Sequence, residues 1–259
     1  LSKANITISE IVSLSSQINP FNESYLTVKK EKLNHKITIK QKDIKKIHIT
    51  ASYAQSMNGT ISMESLQPLQ LSNTDALKLT HKLRASHDAI LIGINTLLSD
   101  DPKLTLRYAK GTQPQPCIID TDLKFIQDSD IFNHPKKPWF FTASTNKKKQ
   151  LYLKSKGCKV FQVNQSNTKL LDLNQVVTIL QKNNIKSVIV EGGKRILTQF
   201  LNNQLVDRCI ITISPMFING TNILDKSITY KLSDSIKLKN ISSYSLADNI
   251  IIEGDPDYV

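Results

Sequence analysis

The stretch Leu83–Arg107, LRASHDAILIGINTLLSDDPKLTLR, decides how this chain is read. The apolar run Ala89–Ile92 resumes after Gly93, the polar pair Asn95–Thr96 follows, and the paired acids Asp100–Asp101 stop at Pro102 before Arg107 closes the segment. That order predicts a helix end, a buried strand, a glycine-containing turn, a short helix and an acidic loop. An α/β fold builds a nucleotide pocket in this way, at the carboxyl end of a strand. A purely structural domain has no need for two adjacent carboxylates and an arginine at such a place. The segment points to chemistry on a charged, phosphorylated small molecule.

Arginine is scarce elsewhere. Of the 34 basic residues only Arg84, Arg107, Arg195 and Arg208 are arginines, and two of them lie in the quoted stretch. The planar guanidinium is the preferred fork for phosphate and carboxylate, so each of the few is informative. The net charge of +12 comes from lysines spread along the chain, and its one dense run, Lys29–Lys46, carries no aromatic residue. Nucleic-acid binding, which wants clustered cations with interleaved aromatics, is therefore not expected. The positive field favours capture of small anions.

A chain of 259 residues, 39% hydrophobic and with mean hydropathy −0.24, has room for one large α/β domain with an extension. Its longest apolar runs are strand-sized and far short of a membrane span. The opening residues are too polar for a signal peptide. Cys117, Cys158 and Cys209 show neither CxxC nor Cys/His ligand spacing, so no structural zinc and no disulfide framework is expected. A cytoplasmic location follows, or an organelle matrix if a targeting segment preceded Leu1.

Residues 1–46 read as an N-terminal extension, and a regular pattern begins at Ile47. IHITASYA alternates as a strand, SMNGTIS turns at Gly59, and a helix capped by Ser72 or Asn73 follows. Further strands are expected at Ala89–Ile92, Cys117–Asp120, Trp139–Ala143, Lys159–Val163, Lys186–Gly193, 208–214 and 249–253. Further helices are expected around Asn146–Lys156, over 172–183 and over 194–202. Strands alternating with helices argue for a mostly parallel sheet, and the last strands, with no helix between them, for an antiparallel edge.

Two more constellations stand out. In VIVEGGKRIL, Val188–Leu197, a buried strand delivers Glu191 to its end and Gly192–Gly193 turns the chain into a helix, whose first N–H groups suit a phosphate. In TASYAQSMNGTIS, Thr50–Ser62, the small residues Ala51, Ser52 and Ala54 let a flat ring approach the strand, with Ser56 and Asn58 beside Gly59 at its end. His81 and His87 flank Arg84 and read as surface or capping histidines.

Together these segments resemble the riboflavin-biosynthesis reductase family, the reductase half of bacterial bifunctional riboflavin proteins and the standalone archaeal and fungal enzymes. The residues that carry the resemblance are SMNG at Ser56–Gly59, LRA at Leu83–Ala85, DAILIGINTLLSDDPKLTLR at Asp88–Arg107 and IID at Ile118–Asp120. EGGKRIL at Glu191–Leu197, LVD at Leu205–Asp207 and SPMFING at Ser214–Gly220 complete it. The match is collinear from about Ile47 to the C-terminus. It implies a dihydrofolate-reductase-like α/β fold, a homodimer, NADPH as cofactor, and reduction of the ribosyl group of a ribosylaminopyrimidine 5′-phosphate to a ribityl chain.

By matching positions, the resemblance implies that Ser72, Arg84 and Arg107 grip the substrate phosphate and ribose, with Leu104 and Asn58 also on the substrate. Asp100 would sit beside the reacting ribose as anchor or proton donor, with Ser52 near the nicotinamide. Ala54, Gly93, Asn95, Thr96, Asp120, Glu191, Gly192 and Gly193 would line the cofactor. One position departs: the family's S-L-D-G aspartate is Asn58 here, which keeps the size but loses the charge. The zinc deaminase signature of the bifunctional form does not occur, so a reductase without a deaminase is expected. The alternatives are an NADPH reductase of another substrate, such as a pterin or folate, and a non-catalytic protein that keeps the cofactor fold.

Overall fold

A computed structural model of the chain describes residues 47–63, 69–166, 169–223 and 235–258. The expectation that residues 1–46 form an extension falls outside them. The chain runs β1 (His48–Ser56), β2 (Thr60–Met63), α1 (Thr74–Ala85), β3 (Ala89–Gly93), α2 (Ile94–Asp100), β4 (Gln115–Ile119), a 3-10 turn (Asp130–Asn133) and β5 (Trp139–Thr142). It continues through α3 (Lys147–Ser155), β6 (Lys159–Gln162), α4 (Leu173–Lys182), β7 (Ser187–Val190), α5 (Lys194–Asn202) and β8 (Arg208–Ser214), then β9 (Gly220–Asn222), β10 (Lys237–Leu246) and β11 (Asn249–Asp257). Among the described residues nine strands form one sheet in the order β10-β11-β8-β1-β7-β3-β4-β5-β6. The seven from β8 to β6 run parallel; β11 and β10 add an antiparallel edge. This is the expected architecture.

The central strands read as continuous apolar runs because both faces are covered. Every residue of β3 and of β4 is buried, as strands enclosed between helix layers must be. Alternation sorts the side chains. Ile49, Ala51, Leu91, Val188 and Val190 share one core with Val176 and Leu180 of α4 and Leu197 and Phe200 of α5. Thr50, Ser52 and Ala54 point to the other face of β1, where the His87 ring meets the Thr50 hydroxyl at 2.9 Å.

Two acids in the motifs set strand register. The Asp88 carboxylate accepts from the Lys186 and Ser187 amides at 2.8 and 3.1 Å, bringing the start of β3 to that of β7. Asp207 accepts from the Ile49 amide at 3.0 Å and donates its own amide to the Ile49 carbonyl at 2.8 Å, which aligns β8 on β1.

Boundaries shift by a few residues from the sequence reading, and β11 extends to Asp257. Asn73, not Ser72, caps α1, its side chain accepting from the Ala76 amide at 2.9 Å. Strands β2, β9 and β10 were not expected. β2 and β9 are short strands that pair with each other. In β10 both faces are largely exposed, so no apolar alternation marks it.

Candidate active site

After β3 the chain moves through α2 to β4 on one side; after β7 it moves through α5 to β8 on the other. Adjacent strands whose connections diverge leave a crevice at their carboxyl ends, and this is where open α/β sheets bind ligands. Here it lies between Gly93, the N-cap of α2, and Gly192–Gly193, which lead into α5. Neither helix has a side-chain cap, so their first N–H groups have no side-chain acceptor, and α5 begins with two cations, Lys194 and Arg195. Such helix starts fit a phosphate or pyrophosphate.

The glycines are needed here for space. A β-carbon on Gly93 would stand 2.6 Å from Ile196 Cγ1, and one on Gly192 2.6 Å from Ile196 Cβ. Ile196, in the first turn of α5, fills the gap that the missing side chains leave. The Gly193 amide donates to Thr96 Oγ1 at 3.1 Å, tying the two helix starts together, while Asn95 faces solvent.

Glu191 points to the α1 face of the sheet. There Arg84 donates through Nε to Oε1 at 2.8 Å and through Nη2 to Oε2 at 2.7 Å, a bidentate pair with only 12% and 14% of the two side chains exposed. Burial opposes the Arg84 charge, but the carboxylate outweighs it and raises the guanidinium pKa. The spare Nη1 reaches the Thr105 carbonyl at 3.4 Å, so the pair abuts the loop that ends in Arg107.

The acidic loop divides its two carboxylates between two roles. Asp101 has φ 38°, and its carboxylate accepts from the Ser129 hydroxyl and, at 3.0 Å, from the Asp130 amide, anchoring the 3-10 turn. Asp100 is exposed and, among the described residues, bonded only to the neighbouring Ser99 hydroxyl, at 2.7 Å, so it is the acid open to a ligand. Leu104 is buried with φ 53°. Arg107 is exposed at the far end, with its guanidinium 6.0 Å from the Tyr108 ring centre.

Several expected site residues have other employment. Ser72 precedes α1 and Arg84 lies near its far end, with an axial rise of about 15 Å between Thr74 and Arg84. Ser72 instead lines a separate pocket of about 370 Å³ with Gln70, Asn73, Met216, Asp248 and Asn249. Asp120 is fully buried, and its two carboxylate oxygens accept from the Lys124 and Phe125 amides at 2.8 and 3.0 Å. Burial raises its pKa against the pull of those amides. It shapes the turn after β4 and does not present its carboxylate to a cofactor.

Asn58 is likewise engaged. Its Oδ1 accepts from the Ser56 hydroxyl at 2.7 Å and the Ile218 amide at 3.0 Å, and its Nδ2 donates to the Ile218 carbonyl at 2.9 Å. The side chain clips the turn after β1 to the loop after β8. Ser52 is buried in β1 and Ala54 half-buried on the same face.

The histidines are not on the surface. His87 caps the end of α1, its Nδ1 on the Leu83 carbonyl at 2.7 Å, and burial lowers its pKa to about 4. His81 is 1% exposed and accepts the Arg107 amide at Nδ1 at 3.0 Å. Burial first, then the charges of Arg84 and Arg107, lower its pKa to about 4 against the pull of Glu191. Only the spacing of His81 one helical turn before Arg84 hinted at this.

The model of the RibD C-terminal domain family matches residues 47–252. The chain belongs to that family. A 2,5-diamino-6-ribosylamino-4(3H)-pyrimidinone 5′-phosphate reductase of Saccharomyces cerevisiae is 31% identical over 211 residues, 76% of this chain and 84% of that protein. The riboflavin biosynthesis protein RibD of Aquifex aeolicus is 28% identical over 207 residues, 79% of this chain, which spans 56% of that longer protein. The solved S. cerevisiae riboflavin biosynthesis reductase superposes with a TM-score of 0.68 at 27% identity, over 83% of this chain and 92% of that one. Acinetobacter baumannii RibD, at 19% identity and a TM-score of 0.69 over 82% of this chain and 58% of that one, shares the fold. The quoted motif thus lies, as the resemblance implied, in a RibD-type reductase domain.

Proposed function

We propose that this chain is a reductase of riboflavin biosynthesis, using NADPH to convert the ribosyl group of a ribosylaminopyrimidine 5′-phosphate to ribityl. The observation that carries this reading is one juxtaposition. Two glycine-capped helix starts meet at the β3/β7 crevice, and the Arg84–Glu191 pair and the loop to Arg107 lie beside them. The helix starts suit the pyrophosphate of a dinucleotide, and the arginines suit a second, substrate phosphate.

When bound, the reduced nicotinamide supplies a hydride. Opening of the substrate's ribose ring breaks the C1′–O4′ bond and leaves a C1′ imine, the nitrogen's proton passing to O4′. Hydride adds at C1′ and the nitrogen takes one proton from solvent. In this reading Arg84 and Arg107 hold the phosphate, and Glu191 fixes the plane of the Arg84 guanidinium. Exposed Asp100 is the group placed to pass a proton to the nitrogen, and Ser52 and Ala54 line the nicotinamide side. Binding energy from the remote phosphate positions C1′ for attack.

Asn58, the departure that would favour a non-catalytic binding protein, is engaged in the clip to Ile218. A homodimer and a cytoplasmic location belong to the same reading. Its cysteines, Cys117, Cys158 and Cys209, are free and buried, and no helix among the described residues is long and apolar enough to cross a membrane.

The test is NADPH oxidation with the diaminopyrimidinone and the deaminated uracil phosphate in turn, and with NADH in place of NADPH. Turnover with one substrate, lost in Arg107→Ala, supports the proposal. No turnover with either, or an unaffected Arg107→Ala enzyme, removes it.

A further inference from the structure

The loop from Asp101 to Arg107 has a shape that its own backbone does not favour. Asp101 and Leu104 both take left-handed φ values, 38° and 53°, without being glycine. Such residues persist only where surrounding contacts hold them. For the arginine end, those contacts come from three side chains. Arg84 Nη1 donates to the Thr105 carbonyl at 3.4 Å, Gln113 Oε1 accepts the Leu106 amide at 2.9 Å, and His81 Nδ1 accepts the Arg107 amide at 3.0 Å.

His81 differs from the other two. It stands one turn before Arg84 on α1, so the same face of one helix carries the Arg84 guanidinium and the anchor of the Arg107 main chain. Its ring is 1% exposed and packs edge-on against Tyr108, with centroids 5.0 Å apart at 89°. Accepting an amide at Nδ1 requires that nitrogen to be bare, which puts the ring proton on Nε2. The hydrogen bond ties the main chain of Arg107 to the helix that carries Arg84.

We propose that His81 is a positioning residue, which holds the Arg107 main chain at Nδ1 and so sets the spacing of Arg107 from the Arg84–Glu191 pair for a phosphorylated substrate. This rests on the reading above that both arginines meet the substrate phosphate. The anchor itself is testable without turnover.

The decisive comparison is His81→Phe, which keeps a ring against Tyr108 but removes the acceptor, with His81→Asn, whose Oδ1 replaces Nδ1. In His81→Phe the Arg107 amide loses its partner, and its hydrogen exchange, followed by NMR, accelerates about tenfold or more. The KM for the phosphorylated substrate rises about tenfold, the size of effect expected for a lost part-buried hydrogen bond. The dissociation constant for NADPH stays within about twofold of the parent. His81→Asn recovers most of both losses.

Damage in His81→Asn with none in His81→Phe would mean that ring packing, not the acceptor, matters, and would overturn the proposal, as would equal damage in both, because the restored acceptor would then have recovered nothing. So would unchanged exchange at Arg107 in His81→Phe. Faster exchange with an unchanged KM would overturn the substrate role while leaving the anchor. A parent chain that turns over neither pyrimidine phosphate refutes the functional reading instead, and the exchange comparison then still decides the anchor. If His81→Phe does not fold, His81→Met, which also lacks the acceptor, is judged by the same two readouts.

Discussion

Glu191→Gln removes one charge from the bidentate pair and little else. The glutamine keeps one oxygen for Arg84, but its amide N–H₂ then faces a guanidinium N–H where the parent has a 2.7 Å bond. With only 12% and 14% of the side chains exposed, water cannot replace the missing carboxylate oxygen fully. Two unit charges about 4 Å apart attract by about 4 kcal/mol at an effective dielectric of 20. Removing one partner of a buried pair costs about 3–5 kcal/mol. The residual exposure places this pair near the lower end, at about 3 kcal/mol.

Urea denaturation measures it. With a slope of roughly 2–3 kcal/mol/M, the midpoint falls by roughly 1–1.5 M at unchanged slope. An apolar replacement of the whole pair, Arg84→Met with Glu191→Leu, regains most of that loss, because no charge is left unpaired. A Glu191→Gln midpoint within about 0.2 M of the parent, or a double variant less stable than the single one, would refute the claim that burial makes this pair obligatory.

His87 predicts a pH effect. Its pKa is lowered to about 4 in the folded chain, from 6.5 when unfolded, so the unfolded state binds more protons as pH falls through this window. Stability is fully present above pH 6.5 and drops by about 2 kcal/mol between pH 7 and 5, at 1.36 kcal/mol per unit; His87→Gln flattens that part of the urea midpoint–pH curve, and an unchanged curve would refute it. Gly93→Ala sets a β-carbon 2.6 Å from Ile196 Cγ1 and costs about 1–3 kcal/mol by denaturation. Adding Ile196→Ala relieves the clash, and strictly additive losses in the pair would show that no clash exists. Asn58→Asp loses the donor to the Ile218 carbonyl, so the melting temperature drops by about 2–4 °C for a loss of about 1 kcal/mol. A variant melting at or above the parent would contradict the clip.

How much of this was legible beforehand differs element by element. The parallel core was plain because strands buried on both faces, such as Ala89–Gly93, have to be apolar throughout. The antiparallel β11 showed for the converse reason, with no helix separating the last strands. β10 was invisible: it pairs through its backbone while its side chains meet water, and backbone pairing leaves no trace in side-chain composition. The motifs marked Arg84, Arg107 and Glu191 as candidate chemical residues, but the Arg84–Glu191 contact depends on α1 crossing the end of β7.

The order of residues alone indicated which segments are buried and which residues are candidates for the chemistry, since hydrophobic period and residue type are local properties. Tertiary structure alone settled which polar groups remain open to a ligand. Asp100 and Asp101 are neighbours of the same type and both exposed, yet the Asp101 carboxylate is taken up in anchoring Ser129 and Asp130 while Asp100 accepts from the adjacent Ser99 hydroxyl. Asp120, Asn58 and His81 have their hydrogen-bonding atoms taken by backbone groups from other parts of the chain or from the turn they shape. A side chain's partners are chosen by where the chain returns in space, and distant crossings such as Asn58 with Ile218 or Arg84 with Glu191 have no signature at either residue.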